Sequence, residues 1–77
     1  MTAENKALVQ AAFPTCIINN KGVVTVKQSY FYRRGTDGPE RLAGIVLKHF
    51  PAATILDKQD SYKAWPKTSY YIVKFKL

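Results

Sequence analysis

Basic and aromatic side chains are the residues of this chain whose chemistry suggests a function. They alternate along two stretches rich in aromatic and β-branched residues, 23–33 and 69–77. Because successive side chains of a strand point to opposite faces, alternate residues of each stretch share one face. One such face is predicted to hold Lys27, Phe31, Arg33, Tyr70, Lys74 and Lys76.

A sheet face of this composition is typical of an open platform for nucleic acid. Aromatic rings stack on bases, and lysine and arginine neutralise phosphates. The alternative is an ordinary solvated face, since strands are rich in aromatic residues in any case and exposed lysines protect sheet edges. The residues alone are compatible with both interpretations.

The loop after the first stretch is a second candidate for anion binding, because Arg33 and Arg34 precede a predicted helix. Unpaired N–H groups at a helix N-terminus, together with two guanidinium groups and the hydroxyl of Thr36, attract phosphate. Asp37 and Glu40 place negative charge at the same point and argue against it. In the alternative interpretation, the two arginines are solvated charges at a strand end.

A polar loop predicted over residues 59–68 contains Tyr62, Lys63, Trp65 and Lys67. Tryptophan and tyrosine beside charged residues are typical of the anchors of a binding interface. The alternative is that Trp65 folds back over one end of a small core, because so short a domain uses every large apolar group.

Residues suited to catalysis are few. His49 is the single histidine and Cys16 the single cysteine, and they fall on different predicted elements. His49 suits the C-terminal end of a helix, and Cys16 suits a small buried hydrophobic position. Asp57 and Asp60 are expected to flank the end of a strand, so neither a carboxylate pair nor a metal cluster is predicted. The sequence therefore predicts a protein that is not an enzyme and that uses no metal or cofactor.

These side chains must be positioned by a small set of helices and strands. The predicted elements are a helix from a Thr2 cap through Phe13, strands 16–19 and 23–33, a helix from Pro39 to Phe50, and strands 52–56 and 69–77. Thr36 or Asp37 is the expected cap of the second helix. The apolar stripes expected to face the core are Ala7, Leu8, Ala11 and Ala12 in the first helix and Leu42, Ile45, Val46 and Phe50 in the second.

The predicted fold class is α+β, in the order α-β-β-α-β-β. Residues 1–77 form one domain, with a single-layer antiparallel or mixed sheet of about four strands and helices packed on one face. The second and fourth strands are expected to turn one set of side chains towards the helices: Val24, Val26, Gln28, Tyr30, Tyr32, Tyr71, Val73, Phe75 and Leu77. The basic and aromatic residues then lie on the opposite face.

Composition favours a polyanionic partner. The formal net charge is +7, with twelve Lys and Arg against five Asp and Glu and a pI near 9.8. No apolar run approaches the ~20 residues that cross a bilayer, which predicts a protein without a membrane partner. A lone cysteine allows no intramolecular disulfide, which is compatible with a reducing, cytoplasmic location.

The leading hypothesis is a small basic protein that binds DNA or RNA. Its candidate binding residues are Lys27, Phe31, Arg33, Arg34, Tyr62, Lys63, Trp65, Lys67, Tyr70, Lys74 and Lys76. The alternative is a protein-binding inhibitor or adaptor, of the kind that a phage or other mobile element encodes. It would dock its basic surface on an acidic or nucleic-acid-binding surface of a partner. A third hypothesis is a subunit that adds an edge strand to a partner's sheet.

Overall fold

Two helices and four strands follow one another in the computed structural model, which describes residues 1–30, 38–63 and 67–77. They are α1 (Ala3–Ala12), β1 (Ile17–Ile18), β2 (Val23–Tyr30), α2 (Pro39–His49), β3 (Thr54–Ser61) and β4 (Ser69–Lys76). The strands form one antiparallel sheet in the order β1-β2-β4-β3. The predicted α+β class and its order of elements are confirmed.

β2 and β4 form the centre of the sheet. They pair without interruption from Val23 opposite Lys76 to Tyr30 opposite Ser69. The first hairpin closes where the side-chain oxygen of Asn19 accepts hydrogen bonds from the backbone N–H groups of Lys21 (2.9 Å) and Val23 (3.0 Å). The predicted continuation of β2 to residue 33 lies outside the described residues.

The hydrophobic core lies between one face of the sheet and the two helices. Burial alternates along all of β4 and along the first half of β2, as expected for strands with one face packed against helices. The buried apolar residues of the described chain are Val9, Val24, Val26, Leu42, Ala43, Val46, Tyr71, Val73 and Phe75. The face predicted to lie under the helices is confirmed for Val24, Val26, Tyr71, Val73 and Phe75. Gln28 and Leu77 of the same predicted set are exposed, and Tyr32 lies outside the described residues.

Helix α1 begins where predicted but presents a different side to the core. The hydroxyl of Thr2 accepts a hydrogen bond from the backbone N–H of Asn5 (3.1 Å), which is the expected N-cap. The predicted stripe is wrong, because Val9 is buried while Leu8 is 54% exposed. Val9 and Phe13 are four residues apart and share one side of the helix axis, and both pack in the core, so this side of the helix faces the sheet.

Helix α2 carries its predicted apolar stripe, since Leu42 and Val46 are buried. Its N-cap is Gly38, one residue beyond the predicted position, and Thr36 and Asp37 lie outside the described residues. Gly38 has a φ of 61°, a left-handed conformation that glycine adopts without steric cost. Pro39 then occupies the first turn, where its lack of an N–H costs no helical hydrogen bond.

Strand β3 differs most from the prediction. It covers Thr54–Ser61 instead of residues 52–56, so Asp57 and Asp60 lie inside the strand and do not flank its end. Its polar residues give little apolar alternation because β3 is an edge strand, where charged side chains are favoured. A bulge between Ile55 and Asp57 leaves Leu56 half exposed.

Neither helix of the described residues has the length and apolarity that a bilayer span requires.

Candidate nucleic-acid interface

The sheet face turned away from the helices brings together several of the predicted binding residues. In antiparallel pairs, directly opposite residues lie on the same face, so the register assigns each side chain. We call this surface the open face. Its members are Ile17, Val23, Thr25, Lys27, Ser29, Thr54, Asp57, Gln59, Ser61, Tyr70, Ile72, Lys74 and Lys76.

Three lysines form a row on the open face. Lys74 and Lys76 are alternate residues of β4, which places their Cα atoms about 6.8 Å apart. Lys27 lies opposite Ile72 and is therefore the diagonal neighbour of Lys74, at about 7–8 Å. The row runs along the middle of the sheet because β2 and β4 are its two inner strands.

Tyr70 lies at one end of this row. It is 36% exposed, and the Lys27 ammonium nitrogen lies 5.7 Å from the centre of its ring. A lysine at this distance interacts favourably with the electron-rich ring face. The open face thus presents positive charge and an accessible aromatic ring in direct contact.

Sequence reasoning missed the acidic margin of the open face. Asp57 lies opposite Lys74, and its carboxylate accepts a hydrogen bond from the side-chain amide of Gln59. These residues were predicted to lie beyond a short third strand. The polar residues of β3 give no alternating apolar pattern, so the sequence carries no local signal for this part of the strand.

Three further predicted residues lie near the Tyr70 end of the sheet. Tyr62 and Lys63 follow β3, Lys67 precedes β4, and all three are exposed. The backbone of Lys63 is held by the buried hydroxyl of Ser69, which accepts from its N–H (2.7 Å) and donates to its carbonyl oxygen (3.0 Å). The remaining predicted binding residues, Phe31, Arg33, Arg34 and Trp65, lie outside the described residues.

A polar and aromatic cluster stabilises the helix-facing side of the sheet. The rings of Tyr30 and Tyr71 stack at 4.1 Å with an angle of 13° between their planes. The Tyr30 hydroxyl donates a hydrogen bond to Asp60, and burial, followed by this bond, raises the pKa of Tyr30 above its ordinary value. On the same side of β3, Lys58 forms an ion pair of 2.9 Å with Glu40 of α2.

Cys16 and His49 both pack against apolar side chains of the protein. Cys16 is half-buried against the core, and burial raises the pKa of its thiol, which disfavours the reactive thiolate. His49 meets the ring of Phe13 edge to face, with 5.5 Å between ring centres. Within residues 1–30, 38–63 and 67–77, no three His, Cys, Asp or Glu side chains are grouped so that they could hold a metal ion.

Comparisons of the chain with protein-family models, with curated proteins and with solved structures gave no match.

Proposed function

We propose that this protein binds nucleic acid through the open face and does not catalyse a reaction. The observation that carries the proposal is the placement of Lys27, Lys74 and Lys76 on one sheet face together with the exposed ring of Tyr70. Lysine side chains neutralise backbone phosphates, and an accessible aromatic ring can stack on a base.

The charge balance of the open face supports a polyanionic ligand. Its described residues contribute three ammonium groups and one carboxylate, Asp57. The chain as a whole carries a formal net charge of +7, which attracts a polyanion over a longer range. Each phosphate contact releases condensed counterions, so log affinity falls linearly with log salt concentration. The slope is about −0.7 per contact for a single strand and about −0.9 per contact for a duplex.

Salt-dependent titration tests this proposal. Fluorescent DNA and RNA oligonucleotides, single-stranded and double-stranded, are titrated with protein at several KCl concentrations. If each of the three lysines contacts a phosphate, these contacts contribute about −2 to −3 to the slope of log affinity against log salt concentration. Replacing Lys74 with Gln is expected to reduce the steepness of that slope by about 0.7–0.9 because one contact is lost.

The matched control is Lys48→Gln, which removes the same charge from an exposed position in the last turn of α2. We expect this variant to keep the wild-type slope. Equal effects of both substitutions would show that net charge, and not the open face, governs binding. No salt-sensitive binding to any oligonucleotide would reject the proposal and favour an acidic protein as the partner of the basic face.

A further inference from the structure

We infer that the ligand of the open face is one unpaired nucleic-acid strand lying along β4, with a base on Tyr70 and backbone phosphates on Lys74 and Lys76. This inference rests on the proposed function and adds the strand form and the position of the base. It concerns the chemistry that single-stranded DNA and RNA share.

The width of the positive row favours one backbone over two. Lys27, Lys74 and Lys76 lie on the two inner strands, whereas the β3 side of the row carries Asp57 and Gln59. The side chain of Asp57 begins about 5 Å from that of Lys74, because directly opposite residues of an antiparallel pair are that close. A second phosphate chain passing over β3 would meet this carboxylate, so the charges suit a single backbone.

The exposed ring of Tyr70 also favours an unpaired strand. A base within a duplex has both faces covered by its neighbours, whereas an unpaired base can be splayed out and stacked on a protein ring. Tyr70 is 36% exposed and projects from the same face as the lysines. A ring in this position recognises a base only if that base is unpaired.

Lys27 links the two contacts. Its ammonium nitrogen lies over the Tyr70 ring, 5.7 Å from the ring centre, and both residues belong to the open face. A stacking base would displace the ammonium from the ring and leave it beside the phosphate of the same nucleotide. The cation–ring contact is thereby exchanged for a base–ring contact and an ion pair.

Base stacking on Tyr70 is tolerant of sequence, because every base has a π-face. Among the described residues of the open face, Tyr70 provides the aromatic ring, so one base is expected to contribute stacking there. We therefore expect similar affinities for oligothymidylate and oligouridylate strands.

The test compares wild-type protein, Tyr70→Val and Tyr70→Phe in titrations with an oligothymidylate octamer, an oligouridylate octamer and a blunt-ended duplex without unpaired bases. Valine removes the ring but keeps a residue that favours strands, and phenylalanine keeps the ring. We expect Tyr70→Val to weaken binding of the single strands by about 5- to 150-fold, the contribution of one stacked base. Tyr70→Phe keeps the ring and should therefore bind the single strands more tightly than Tyr70→Val does. Duplex binding should be weaker and insensitive to both substitutions.

The surface control is Leu8→Ala, which shortens an apolar side chain that is 54% exposed on α1. It should leave all affinities unchanged.

Salt-sensitive duplex binding that equals or exceeds single-strand binding would overturn the inference and keep the proposed function. Full single-strand affinity in Tyr70→Val would likewise overturn the inference alone. If neither strand form showed salt-sensitive binding, the proposed function itself would fail. The wild-type comparison of strand forms gives an answer even if a variant does not fold.

Discussion

Ser69 ties the beginning of β4 to the chain that follows β3. It is 2% exposed, and its hydroxyl makes both hydrogen bonds to the backbone of Lys63. An intramolecular hydrogen bond contributes about 0.5–1.5 kcal/mol to stability, and Ser69 makes two of them with this segment. This side chain therefore fixes the loop at the Tyr70 end of the open face.

Replacing Ser69 with Ala is expected to lower the free energy of unfolding by about 1–3 kcal/mol, because it leaves the Lys63 N–H and carbonyl without this partner. Urea denaturation measures the change. Ser29→Ala is the matched control, since Ser29 is exposed on β2 and its loss should change stability by less than about 0.5 kcal/mol. Equal effects of the two substitutions would contradict the role given to Ser69.

The residues of the open face show why part of the site was predictable. Lys27, Tyr70, Lys74 and Lys76 were assigned to one face by alternation alone, and β2 and β4 pair without a bulge that would have exchanged the faces. Asp57 could not be assigned in this way. The bulge after Ile55 shifts the register at the point where the prediction ended the strand.

At the scale of elements, helix α2 contains a glycine with no evident packing function. Gly44 is exposed, and a methyl group added to it would meet no atom within 4 Å. Glycine in a helix interior costs roughly 0.5–1 kcal/mol relative to alanine, because it has more conformational freedom in the unfolded chain. The position therefore accepts a better helix former without repacking.

Gly44→Ala is expected to raise the free energy of unfolding by about 0.5–1 kcal/mol, measured by urea or thermal denaturation. Gly38→Ala is the contrasting control. Gly38 has a φ of 61°, and an added methyl group would lie 3.6 Å from the Tyr71 ring, so this substitution should destabilise the protein. If Gly44→Ala destabilised the protein, that result would contradict the free space around Gly44 on the exposed side of α2.

Element boundaries were predictable where local chemistry marks them. Thr2 caps α1, and Pro39 occupies the first turn of α2, so both helices begin within a residue or two of the expected positions. Strand β3 was not predictable from its own residues. Its place in the sheet depends on pairing with β4, and its polar sequence has no apolar alternation. The rotation of α1 likewise depends on the docking of Val9 in the core.

At the scale of the whole molecule, two helices cover one face of a four-stranded sheet. Among residues 1–30, 38–63 and 67–77, neither helix lies on the open face, and the lysines of that face suit contact with water. The same lysines, aligned beside Tyr70, support the proposed binding surface.

The most direct test of binding at the open face is to follow the methyl signals of the protein by nuclear magnetic resonance while an oligothymidylate octamer is added. Ile72 lies among the lysines of the open face, whereas Leu8 and Leu47 are exposed on the helices, at 54% and 38%. If the strand lies along β4, the signals of Ile72 shift with saturation and those of Leu8 and Leu47 stay in place. Shifts confined to Leu8 and Leu47, with none at Ile72, would contradict binding at this face.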